Sequence, residues 1–132
     1  MNGLRRALYV QAAVWGSAGL ALAVAPRFVL VTLFGQPEMS EFAWIRLLGI
    51  QAFGVAMMMV LVGHRIEDLW WWSWAFALVA VGTAATVVLN AAFGLDPGQS
   101  AGLWWTFSAV TTALALWLLG GLYVTSQQHP LP

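Results

Sequence analysis

Residues 41–62 read EFAWIRLLGIQAFGVAMMMVLV, and this stretch decides the fold. As a helix of about 22 residues it would rise roughly 33 Å, which matches the hydrocarbon core of a bilayer. It holds one charge inside it, Arg46, and one amide near its midpoint, Gln51. Apolar residues fall on every side of such a helix, so it is a membrane span and not a soluble amphipathic helix. Arg46 and Gln51 are then the polar groups whose presence in lipid needs a physical reason.

The rest of the chain has the same character. Of 132 residues, 61% are hydrophobic and only 8% are charged, where an average soluble domain is about 25% charged. Three further stretches, at about 7–25, 69–93 and 101–123, also exceed the ~18 residues that mark a spanning candidate. The expected fold class is therefore all-α: a polytopic membrane protein, one four-transmembrane-helix bundle occupying residues 1–132. The punctuation between spans agrees. Pro26-Arg27 follows the first, Gly35-Gln36-Pro37-Glu38 precedes the second, Gly63-His64-Arg65 ends it, and Asp96-Pro97-Gly98 makes a turn before Ser100, which can cap the fourth. Glu38 and Glu41 are expected at the start of the second helix, and Glu67 and Asp68 at the start of the third, where the helix dipole favours acids. The segment 27–34, RFVLVTLF, is too short to span and too apolar for an ordinary loop. After Pro26 it should form a short interfacial helix or a kinked extension of the first helix.

Residues 7–25, behind Arg5 and Arg6, are expected to be a retained signal-anchor-like span rather than a cleaved signal peptide. With the N-terminus inside, Arg5, Arg6 and Arg65 lie on the cytoplasmic side, and Arg27 and Arg46 on the other. The positive-inside rule then places both termini in the cytoplasm by a thin margin. Tryptophan is the compositional outlier, with nine. Trp44, Trp70, Trp71, Trp72, Trp104 and Trp105 fall near predicted helix ends, as an interfacial belt requires. An aromatic cage for a cationic ligand is the sharper alternative.

A faint internal repeat is present. Trp15 and Trp74 are 59 positions apart (74 − 15), and so are Phe34-Gly35 and Phe93-Gly94 (93 − 34). Under this offset Arg46 corresponds to Trp105 and Gln51 to Val110, so polarity has been placed in the first hairpin only.

Several function classes drop out. Five Arg, no Lys and five acids give zero formal charge and no basic tail, so nucleic-acid binding has no footing. The absence of cysteine removes disulfides, Fe–S clusters and thiolate metal sites. His64 and His129 do not pair at metal-ligand spacing, and no catalytic triad or phosphate loop can be drawn, so no catalytic residue and no metal site is assigned. None of the five acids falls inside a span, which disfavours a proton-coupled exporter built on an intramembrane carboxylate. The residues imply no cofactor; a quinone or a bound lipid is the ligand left open.

Candidate residues follow from polarity in lipid. Arg46 can snorkel to the headgroups, pair with Glu38 or Glu41, or meet an anion or substrate in a cavity at that surface. Gln51 needs a hydrogen-bond partner, for which Gln11, the Ser and Thr positions of the fourth helix, or another subunit are available. A polar substrate or a quinone head group is the alternative. Thr83, Thr86 and Asn90 share one face of the third helix, and Ser108 with Thr111 or Thr112 shares one face of the fourth. Two such stripes facing each other would bring these helices close, as would Gly16, Gly19, Gly49, Gly54 and Gly82. Met57-Met58-Met59 suits gap filling.

The order of these pieces resembles a known group. A first helix closing on Pro26, an apolar segment ending in Phe34-Gly35-Gln36-Pro37, and Arg46-Leu47-Leu48-Gly49 opening the next span resemble the small bacterial membrane proteins grouped as DoxX-like or DUF4345-type. The resemblance implies a compact four-helix bundle in a bacterial cytoplasmic (inner) membrane, of unknown function. Some DoxX relatives are associated with quinone-linked oxidoreductases, but no residue here carries that chemistry. The leading expectation is a non-catalytic membrane subunit or accessory protein, packed as a homo-oligomer or against other membrane subunits. The alternatives are a small-molecule or lipid-binding transporter-like bundle with a cavity near Arg46 and Gln51, and a quinone-associated oxidoreductase component.

Overall fold

Pro26 lacks the N–H that would continue the first helix, and the chain bends there without stopping. The structure, a computed structural model, describes residues 2–128. Helix α1 runs Asn2–Val24, and after Pro26 the chain winds on as a π-helix over Phe28–Leu33. The Phe34 N–H donates to the Val29 carbonyl at 3.2 Å, the i to i−5 step of that wider winding. Of the two expectations for this segment, the kinked extension is the one observed. It ends at Gly35, whose φ of +67° is the left-handed conformation that glycine adopts without strain.

Helix α2 runs Ala43–His64. Its start corrects the predicted boundary: Glu38 and Glu41 lie in the preceding loop, and no acid occupies the first turn. Glu38 pairs instead with Arg27 at 2.8 Å. A short helix α3, Ile66–Leu69, carries Glu67 and Asp68 in its first turn as expected and leads through a 3₁₀ turn, Trp70–Trp72, into α4, Ser73–Phe93. The loop to α5, Ala101–Thr125, contains the Asp96-Pro97-Gly98-Gln99 turn, closed by Gln99 N–H to Asp96 O at 3.2 Å. Pro97 followed by Gly98 at φ +93° is the signature of a type II turn. Ser100 caps α5 by accepting from the Leu103 N–H, as its position predicts.

Four helical units, 2–24, 43–64, 66–93 and 101–125, are long and apolar enough to cross a membrane. The chain is thus an all-α integral membrane protein. Its helices are arranged unevenly. α1 packs along α2 and also against α5, α4 packs against α5, and α2 scarcely touches α4. The buried core lies toward one end of the bundle: Leu4, Leu8, Met59, Ile66, Trp70, Phe76, Leu118 and Leu122. The other end is held by aromatics. Phe34 packs edge-on against Trp104 and Phe107, with centroids 5.3 and 5.8 Å away, and Trp15 meets Phe107 at 6.2 Å. The two loops on that side touch, since a Cβ at Gly35 would lie 2.8 Å from the Gly98 carbonyl oxygen.

Candidate functional site

The hairpin of α1 and α2 carries most of the polar candidates. Its helices cross at two glycines. A Cβ on Gly19 would come within 2.6 Å of the Gly49 carbonyl oxygen, and one on Gly49 within 2.5 Å of the Gly19 oxygen. The backbones are therefore in contact, which only glycine permits. Gly16 faces Ala56 in ordinary contact. Gly54 and Gly82 have open space where a side chain would go, so neither packs a helix within this chain, contrary to expectation.

Arg46 lies in the first turn of α2 and donates to the Ala23 carbonyl at 2.9 Å, in the last turn of α1. The final carbonyls of a helix have no intrahelical donor, so Arg46 acts as a C-cap reaching across the hairpin. The predicted pairing with Glu38 or Glu41 does not form, because Glu38 is held by Arg27 and no carboxylate among the described residues lies in ion-pair range of Arg46. Beside Arg46 a cavity of about 580 Å³ opens toward the loop side, bounded by Arg27, Phe28, Val31, Thr32 and Phe42. Gln51 does not line it, so this cavity does not join Arg46 to Gln51.

Gln51 is exposed on the outside of α2 and has no hydrogen-bond partner among the described residues. Gln11, its proposed partner, is fully buried between α1 and α5, where its amide N–H donates to the Leu114 carbonyl at 3.1 Å and its oxygen accepts nothing. Two hydroxyls of α5 are also occupied within their own helix: Ser108 donates to the Trp104 carbonyl, and Thr111 to the Phe107 and Ser108 carbonyls.

The two small-polar stripes do not meet as predicted. Ser108 and Thr111 are buried on α5, but α4 buries Ala77, Ala80, Ala84, Val87 and Ala91. Thr83 and Thr86 donate to the Val79 and Gly82 carbonyls of their own helix, with Thr86 exposed. Asn90 sits at the end of α4, where its carbonyl accepts from the Gly94 N–H. Alanine, not hydroxyl, makes the close approach.

The tryptophans divide. Trp44, Trp71, Trp72 and Trp105 are exposed near helix ends, as a belt requires. Trp104 is partly buried under Phe34. Trp70 departs from the belt altogether. Only 2% exposed, it packs in the core and donates its indole N–H to the Thr125 hydroxyl at 2.7 Å, satisfying the one polar atom that would otherwise oppose its burial. His64 is exposed at the end of α2, and His129 lies outside the described residues.

Sequence reasoning missed Arg5. Its Nε donates to the Gly63 carbonyl at 2.9 Å and its NH2 group pairs with Glu67 at 2.8 Å. Its distance in sequence from both partners left no local signal. Comparison with family models, with curated proteins and with solved structures finds no match.

Proposed function

We propose that this chain is a non-catalytic integral membrane subunit or accessory protein that works by packing against another membrane chain. The observation that carries the reading is the outward face of α2, which places the unpartnered amide of Gln51 in the lipid region. A polar group in hydrocarbon without a hydrogen bond costs free energy, and an interhelical partner removes that cost. The rest of the chain supports the reading. Most of its charges serve as caps and surface ion pairs, and its buried polar groups mostly bond to their own or neighbouring helices. We place it in a bacterial cytoplasmic membrane with both termini cytoplasmic, and as a relative of the DoxX-like bundles in architecture. The test is native mass spectrometry of the tagged protein extracted in a mild detergent. A stoichiometric second chain, its own or foreign, is expected; a bare monomer overturns the reading.

A second reading rests on the Arg46 cavity. Arg27 is neutralised by Glu38, whereas Arg46 has no counter-charge among the described residues, and Phe28, Val31 and Phe42 give the cavity beside it an apolar wall. That combination suits the head and upper chain of an anionic lipid. Retention of phosphatidylglycerol over phosphatidylcholine by the wild type, and its loss in Arg46→Gln, would support it.

A further inference from the structure

The outward residues of α2 cover a broad arc that also includes Leu48, Ile50, Phe53 and Met57, and one line along that arc carries the helix's amide. Trp44, Leu47, Gln51, Gly54, Met58 and Leu61 follow one another at intervals of three, four, three, four and three. All six are exposed, with Trp44, Leu47, Met58 and Leu61 between 45% and 72% accessible. At 100° per residue this stripe lies opposite Gly49, Ala56 and Gly63, which face α1. A 3–4 repeat is the pattern of a seam between two helices that supercoil at about 20°. The spacing alone does not single this line out, since Leu47, Ile50, Gly54, Met57 and Leu61 are also exposed at such intervals; what distinguishes it is Gln51, an amide that an apolar helix in lipid has no need of. Nothing within 4 Å occupies the space beside Gly54, so another backbone can approach there.

We propose that α2 pairs with the α2 of a second copy of this chain, in parallel, along this seam. The inference rests on the reading of the protein as a packing subunit and names its partner. Two arguments select a second copy. Copies inserted with the same topology hold Gln51 at the same depth, so a two-fold axis along the membrane normal brings amide to amide. A carboxamide carries both donors and an acceptor, so the pair is self-complementary and neither group is left in lipid unsatisfied. A single polar residue at one core position of a helical seam also fixes register, as amides do in parallel coiled coils. Gly54, one step along the seam, lets the backbones close around that bond. The isologous contact this creates is the form expected of a symmetric dimer.

The chain lacks cysteine, so single cysteines can be placed without background. Leu47→Cys, Met58→Cys and Leu61→Cys are oxidised in native membrane vesicles, beside Val60→Cys on the side of α2 turned away from the seam and Leu78→Cys on α4. The seam variants should form disulfide-linked dimers and the two controls should not. In a separate measurement, Gln51→Leu should weaken self-association by roughly 3- to 30-fold, and Gln51→Asn should restore much of it. Equal cross-linking at seam and control positions would mean random collision and overturns the proposal. A foreign chain cross-linked to the seam, with no dimer, overturns the second copy while leaving the subunit reading standing. A monomer in native mass spectra, with no cross-linking at all, overturns both.

Discussion

Arg5 and Arg46 close the α1–α2 hairpin from opposite ends. Arg5, at the start of α1, donates to the Gly63 carbonyl at the end of α2; Arg46, at the start of α2, donates to the Ala23 carbonyl at the end of α1. Each helix therefore begins with the cation that caps its neighbour's C-terminus, where orphan carbonyls and the negative end of the dipole lie together. Between the two clasps the backbones touch at Gly19 and Gly49. Arg46, for which the sequence offers snorkelling, thus holds the hairpin together with Arg5.

Removing either clasp should loosen the hairpin by a modest amount. Arg46→Gln is expected to lower stability by about 1 kcal/mol, since a charge-assisted hydrogen bond is discounted by its exposure. Arg5→Gln should cost a little more, because it loses the Glu67 pair as well. Lying at opposite ends, the two effects should add. Thermal unfolding in detergent, followed by circular dichroism, reads both; a double variant no less stable than either single one would contradict the clasp.

Two glycines of α2 should behave in opposite ways. Gly49→Ala forces a Cβ against the Gly19 carbonyl and should destabilise by about 1–3 kcal/mol through overpacking. Gly54→Ala meets open space within the chain and should leave monomer stability unchanged or slightly raised, alanine being the better helix former. Yields of folded protein from membranes, compared for the two variants, decide this.

That contrast marks how far the sequence could be read. The four spans and their breaks at Pro26, Pro97 and Ser100 were legible, because runs of apolar residues and turn chemistry are local signals. Which side of each span faces the protein was not. In a soluble helix polarity distinguishes core from surface, but lipid is as apolar as the core, so α2 reads alike all round. Gly49 at a helix crossing and Gly54 in open space look the same in sequence, and Gln51 gives no sign of facing outward. Trp70 falls in the expected belt for the same reason: its depth is legible, but its partner Thr125, 55 residues later, is not.

Gln11 offers a test of whether a buried amide here is structural glue. Its N–H bonds to the Leu114 carbonyl, which as part of a helix interior already has a backbone donor, and its oxygen accepts nothing. Gln11→Leu removes an unsatisfied buried oxygen along with one hydrogen bond, so stability should be unchanged or higher. A large loss in thermal stability would instead mean that the amide specifies how α1 and α5 meet.

Trp70 presents the opposite case, a buried polar atom that is satisfied. Replacing Thr125 with Val keeps the volume but takes the Thr125 hydroxyl away from the buried indole N–H, at a cost of about 1–3 kcal/mol. Trp70→Phe removes the donor together with the bond, yet loses ring area in a site that is almost fully buried. It should therefore also destabilise, but through a cavity. The double variant separates the two terms. If the hydrogen bond matters, Thr125→Val should cost clearly less in a Trp70→Phe background than in the wild type, and the coupling measured by thermal unfolding should be about 1 kcal/mol. Strict additivity would show that Trp70 is held by packing alone, and that Thr125 contributes nothing beyond its bonds to the Gly121 and Leu122 carbonyls of its own helix.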